Sequence, residues 1–158
     1  MPAKFVTREH AKVDRIACPW LIHRFIDPAA EFLFVAQDQV MKVATGEGAI
    51  PFDTPGAELH HYEQDGNERV TFDAVIRKYG LTDPALLDLA EIVRGADAHL
   101  ARPRAESAGL EALAMGFRRI ATDDHDNLRL QSPAYDALYA YCQERVSAKA
   151  SARPAPPP

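Results

Sequence analysis

Asp14-Arg15-Ile16-Ala17-Cys18-Pro19-Trp20-Leu21-Ile22-His23-Arg24-Phe25-Ile26-Asp27-Pro28 gathers two arginines, a cysteine, the chain's one tryptophan and two aspartates into fifteen positions. Proline is favoured at the first position of a helix, because the N–H it lacks would go unpaired there anyway. That predicts a helix from Pro19 to Asp27, stopped by Pro28. Cys18 would then lie at a helix N-terminus with Arg15 nearby, where the dipole and free amides favour a thiolate or a bound oxyanion.

Working outward, Lys4 to Thr7 reads as a short strand and Phe32-Leu33-Phe34-Val35 as a buried one. Asp38 to Ala44 reads as a short helix closed by Gly46 and Gly48. Asp53-Thr54-Pro55-Gly56 is a turn, Glu58 to Glu63 a strand, and Asp65-Gly66-Asn67 a hairpin tip. Thr71 caps a helix from Phe72 to Tyr79, with Gly80 as its stop. Beyond it the pattern is helical: one helix with Pro84 at its first position after Thr82 or Asp83, another from Leu110 to Ala121, and a last one opened by Ser132-Pro133. The expected fold is α+β, a small N-terminal sheet packed with a mainly helical C-terminal half, as a single domain over residues 1–146. Residues 147–158, rich in Ala, Ser and Pro, read as a disordered tail.

The chain has 158 residues, 47% of them hydrophobic and 26% charged, with a net charge of −5. These values fit one soluble globular domain. The acidic balance argues against direct nucleic-acid binding by the whole surface. No apolar run approaches the roughly 18 residues of a membrane span, and Met1-Pro2-Ala3-Lys4 has no apolar signal core. Two cysteines, Cys18 and Cys142, do not make a disulfide framework, so the cytoplasm is the expected location.

The stretch from Asp14 to Pro28 resembles the signature of the chromate-resistance family typified by ChrB. Further segments agree in order: Phe32 to Val35, Ile50-Pro51-Phe52-Asp53, Lys78 to Leu81, Ile92-Val93-Arg94-Gly95-Ala96-Asp97, Asp123-Asp124-His125, and Tyr135 to Cys142. The resemblance runs from about Phe5 to Cys142. It implies the C-terminal domain type of that family, whose full-length members add an N-terminal regulatory region, and an association with the response to chromate or oxidative metal stress. Two positions depart from the family pattern. Glu68 to Phe72 carries no cysteine, and His23 stands where an arginine is expected.

Three groups of residues are candidates for chemistry. Six histidines are present. His60 and His61 would face opposite sides of a strand, His61 sharing its face with Glu63. The run Asp123-Asp124-His125-Asp126 is the second cluster, with acidic residues poorly placed for a helix C-terminus. A facial set of His61, Asp124 and His125 would suit one divalent metal, zinc, iron, manganese or nickel. Arg15 and Arg94 are candidates for contacting a tetrahedral oxyanion. The plainer reading of these arginines is Asp–Arg pairing with Asp14, Asp27 and Asp97 that holds helices together. Cys18 is a candidate redox or nucleophilic thiol, against its plainer role as a small buried hydrophobe. The expected function is a sensor or accessory domain that binds a chromate- or sulfate-like oxyanion or a divalent metal. The alternatives are a metal-dependent enzyme with redox, lyase or hydrolase chemistry at a His/Asp site, and a module that binds a protein partner or forms a homodimer.

Overall fold

The computed structural model describes residues 1–152. In chain order it contains β1 (Lys4–Arg8), α1 (Asp14–Phe25), β2 (Glu31–Val35), α2 (Val40–Glu47), β3 (Ile50–Pro51), β4 (Tyr62–Gln64), β5 (Asn67–Arg69), α3 (Thr71–Lys78), α4 (Pro84–Asp97), α5 (Ala105–Ile120) and α6 (Asp124–Ser151). The α+β arrangement is therefore present: a small sheet first, then helices.

The sheet has the order β2-β1-β3 and is parallel throughout. Side chains alternate across a strand, and β1 shows the consequence. Phe5 joins the main core with Phe32, Phe52 and the α1 residues Ile16 and Leu21. Its neighbour Val6 joins Val40, Ala44 and Ala49 on the side of α2. Each face of β1 is thus covered by a different helix, as a parallel sheet requires. Phe5 stacks on Phe32 at 5.7 Å between ring centroids. Sequence position His23 fits the same layer: its Nε2 pairs with the Ala30 carbonyl at 2.8 Å, and its ring meets Phe32 edge-on at 4.8 Å.

Several element boundaries differ from expectation. α1 begins at Asp14, not Pro19, so Pro19 lies inside the helix and leaves the Arg15 carbonyl without its usual amide. Likewise α6 begins at Asp124, capped by the Asp123 carboxylate on the Asp126 amide at 2.7 Å, and runs through Pro133. α5 begins five residues earlier than Leu110, at Ala105. Only α4 starts where proline predicts, because Asp83 directly precedes Pro84 and accepts from the Leu86 amide at 3.2 Å. The segment from Glu58 to His61 is not a strand. It makes a single bridge, Leu59 to Phe52, and the strand begins at Tyr62. The Asp65-Gly66 tip has positive φ at both residues, 53° and 76°, the combination of a type I′ hairpin turn. The tail expected from residue 147 is helical through Ser151, and residues 153–158 lie outside the described residues.

The helical half is held by close approach of α4 and α5. A Cβ added at Gly95 would overlap Ser107 Oγ, whose hydroxyl donates to the Ile92 carbonyl at 2.8 Å. Gly95→Ala should therefore destabilise the protein by about 1–3 kcal/mol, the usual cost of overpacking. Urea unfolding should show a lowered midpoint with an unchanged slope.

Candidate functional site

In an open parallel sheet, ligands bind beyond the carboxyl ends of the strands, where the chain reverses its direction of travel across the sheet. Here β1 is central. The chain leaves it for β2 on one side and then crosses to β3 on the other. The switch point lies between the carboxyl ends of β1 and β3, at Arg8 and Asp53. Four further pieces converge there: the start of α1, His61, the start of α3 and the end of α4.

Asp14, the first residue of α1, is 1% exposed. Its carboxylate accepts the Thr71 amide at 2.7 Å and the Phe72 amide at 3.2 Å. It therefore caps α3 from another helix, where unpaired amides and the dipole favour a negative charge. It also meets His61 Nε2 at 3.2 Å. Burial pushes the Asp14 carboxyl well above the usual carboxylate range, and the neighbouring Asp97 pushes it further.

Asp53 follows β3 with φ of 51°, in the left-handed region where Asp is among the better tolerated residues. Its amide donates to the Leu59 carbonyl at 2.7 Å. Its Oδ1 accepts the Thr71 hydroxyl at 2.8 Å and lies 3.5 Å from His61 Nε2. Its Oδ2 is 3.4 Å from Arg15 Nε and 3.6 Å from Arg8 Nη2. Asp97, at the end of α4, brings Oδ2 to 3.0 Å from the same His61 nitrogen. One imidazole nitrogen thus faces three carboxylates, while it carries at most one hydrogen to share. The hydrogen bond to Asp14, then that to Asp97, pushes the His61 imidazolium up to about 10. Glu68 Oε1 stands 3.8 Å from Nδ1 on the other edge of the ring.

One ligand atom from each of Asp14, Asp53 and His61 lies within 4.8 Å of the other two. Among the described residues this is the group of imidazole and carboxylate ligands close enough for one metal ion. A cavity of about 310 Å³, lined by Arg8, Asp53, Thr54, Pro55, His60 and His61, opens onto it.

The residues singled out from the sequence are distributed otherwise than expected. Of the set His61, Asp124 and His125, only His61 is in this group. The Asp124 carboxylate accepts the His10 amide at 2.9 Å and the Ala11 amide at 2.7 Å, which ties α6 to the loop after β1. His125 lies edge-on to Phe34 at 5.2 Å. Glu63 is exposed on β4 and does not share a strand face with His61. Arg15 donates to the carbonyls of Arg8 at 2.8 Å and Glu9 at 2.7 Å, and more weakly to that of His10 at 3.4 Å. It folds the β1–α1 loop around itself, His10 taking a φ of 62°. Arg94 makes a bidentate pair with Asp73, 3.0 Å and 2.7 Å, and Asp73 also accepts the Val70 amide at 3.0 Å. Cys18 lies one turn inside α1 rather than at its start and is fully buried. Burial, then the charge of Asp14, pushes its thiol well up instead of down. Cys142 is a buried free thiol as well.

Asp14, Asp53 and Asp97 were not assigned as ligands from the sequence. Each lies in a segment that carries the family resemblance, which was the available signal, but nothing in their spacing shows that they meet.

The family model described as "ChrB, C-terminal domain" matches residues 5–142. The curated Protein ChrB of Cupriavidus metallidurans is 34% identical over 139 residues, which cover 87% of this chain and 40% of that protein. The chain therefore spans well under half the length of that relative. No solved structure matches.

The His61 cluster sets a pH dependence. Its imidazole has an ordinary value of 6.5 and a folded value of about 10, so between these limits the folded protein holds a proton that the unfolded chain releases. Its stabilisation is fully present below about pH 6.5 and is lost as pH rises through 10. Metal-free protein should lose thermal stability between pH 7 and 10, and His61→Gln should flatten that slope. An unchanged slope in the variant would contradict the assignment.

Proposed function

Taking as premise that the chain belongs to the ChrB C-terminal domain family, we propose that this chromate-resistance-type domain binds a divalent cation through Asp14, Asp53 and His61. The observation that carries the reading is the convergence of three carboxylates on one imidazole nitrogen in a largely buried site. Buried like charges are costly unless a cation or a proton lies among them. The imidazolium proton fills that role in the metal-free protein, and a metal ion would replace it. Two carboxylates and one imidazole suit manganese, iron or zinc, with carboxylate oxygen favouring the harder ions. The site resembles the donor sets that leave positions open for water or a further ligand, and Asp97 would then hold a bound water or take its place on the metal.

An oxyanion held directly by Arg15 and Arg94 is less well supported. The donors of Arg15 are engaged by loop carbonyls and Asp53, and those of Arg94 by Asp73. A dianion entering the cluster would also face three carboxylates. The family context supports a sensing or accessory role in chromate resistance, in which metal occupancy reports or enables the response. A catalytic role has one observation in its favour: the cluster opens onto a cavity large enough for a small molecule beside the ion. A metal with open positions there would act as a Lewis acid or redox centre.

Calorimetric titration of chelator-treated protein with Mn²⁺, Fe²⁺ and Zn²⁺ tests the reading. Saturable one-to-one binding is expected, weakened at least about tenfold in Asp53→Asn and His61→Ala, where losses of this size follow even from disturbing a metal ligand's supporting contacts. Asp124→Asn should leave the affinity within a few fold. Absence of binding, or binding indifferent to Asp53 and His61, would sink the proposal. Metal-dependent turnover in a substrate screen, lost in His61→Ala, would move the reading to an enzyme.

A further inference from the structure

The cavity beside the cluster carries donors that the cluster itself does not use. Arg8, Thr54 and His60 line it together with Asp53 and His61. Arg8 is the last residue of β1 and is half-buried. Its Nε donates to the Asp53 carbonyl at 3.0 Å. Its terminal amino groups make no hydrogen bond among the described residues, and Asp53 Oδ2 stands 3.6 Å from Nη2, beyond ordinary hydrogen-bond distance. In this it differs from Arg15 and Arg94, whose donors are engaged. A guanidinium presents a planar fork of N–H donors that matches carboxylate, phosphate or sulfate oxygens. Arg8 keeps that fork free on the cavity wall.

Asp53 stands between the proposed cation position and Arg8. Its Oδ1 is 3.5 Å from His61 Nε2 and its Oδ2 is 3.6 Å from Arg8 Nη2. The guanidinium is thus about one carboxylate's width from an ion held by Asp14, Asp53 and His61. An anion with two or more oxygens spans that gap, one oxygen taking an open position on the ion and another accepting from Arg8. Charge decides when it enters. Asp14, Asp53 and Asp97 face Arg8, Arg15 and His61. Without an ion these groups carry no positive surplus, even with the imidazole protonated. A ligating imidazole is neutral and ligating carboxylates are ionised, so a divalent ion leaves the same groups with one positive charge in excess. Glu68 lies on the other edge of the imidazole, 3.8 Å from Nδ1, and is not part of the cavity wall. At about 310 Å³ the cavity is at the small end of ligand pockets, which suits a small ion with its water.

Resting on the cation reading above, we propose that this cavity is a subsite for a small oxyanion, a tetrahedral inorganic anion or the carboxylate of an organic acid, which binds the metal ion and Arg8 together and needs the ion to bind. Arg8 is the residue that sets anion preference, and it takes no part in coordinating the metal. By linkage the anion tightens the cation by the same factor as the cation tightens the anion. The site therefore responds to the two ligands jointly.

Calorimetric titration of sulfate and of acetate into chelator-treated protein, with and without saturating Mn²⁺, tests this. Saturable anion binding is expected with Mn²⁺, and binding at least about tenfold weaker without it, the size of a typical coupling between sites. Arg8→Ala should weaken the anion at least about tenfold, the scale of a lost charge-assisted fork, and leave the Mn²⁺ affinity within a few fold. Arg8→Lys keeps the charge and loses the fork, so it should fall between the two. Water-proton relaxation by bound Mn²⁺ is an independent readout and should drop as the anion displaces water from the ion. Tighter sulfate assigns a tetrahedral ligand, and tighter acetate a carboxylate. Failure of Mn²⁺ to bind at all overturns both the cation reading and this proposal. Mn²⁺ that binds while neither anion does, anion binding equal in metal-free protein, or anion binding indifferent to Arg8 overturns this proposal alone.

Discussion

The buried carboxylate of Asp14 is the contact on which the rest of the arrangement depends. It starts α1, caps α3 through two amides and touches His61. A carboxylate 1% exposed is tolerated only with partners, and these come from the start of α3 and from the loop before β4. The capping amides fix where α3 begins, and α3 in turn supplies the Thr71 hydroxyl that holds Asp53. An alanine at position 14 would leave the Thr71 and Phe72 amides without their acceptor and take one of the three carboxylates away from His61.

Around that carboxylate the two arginines act by position. Arg15 gathers the carbonyls of the β1–α1 loop, and the Asp124 carboxylate takes two amides of the same loop. Between them they hold His10 in a left-handed conformation. Arg94 grips Asp73, so that α4 and the first turn of α3 move together. Left-handed backbone at Asp53 within the cluster and at His10 in the β1–α1 loop is the kind of feature that persists where the surroundings over-determine a residue.

The domain therefore couples a compact α+β scaffold to one acidic cluster at the switch point of its sheet. The Cupriavidus metallidurans protein is more than twice as long as the matched region, so in it the matched region stands beside further chain. The three side chains proposed to hold a cation come from the β1–α1 junction, the segment after β3 and the loop before β4, so an ion bound there would link all three.

Local chemistry made the α+β class, the hairpin tip at Asp65-Gly66 and the Asp83-Pro84 helix start readable from the amino acids, because each depends on near neighbours: apolar runs, φ preferences and a carboxylate beside the amides it caps. The same proline rule misplaced the starts of α1 and α6. Pro19 and Pro133 are tolerated inside helices whose ends are set by Asp14 and Asp123, and a missing amide does not by itself mark a terminus. His61 and the importance of the Asp14 and Asp97 segments were visible in sequence, but their meeting was not. Asp124 looked like a ligand and is a loop anchor, while Asp53 looked like a turn and faces the imidazole. The sequence by itself determined which side chains were present and which local elements they form. Only the tertiary structure decided which carboxylates share a nitrogen, because His61 and Asp97 lie 47 and 83 positions beyond Asp14 and meet it through the packing of separate elements, a separation that no short-range preference encodes.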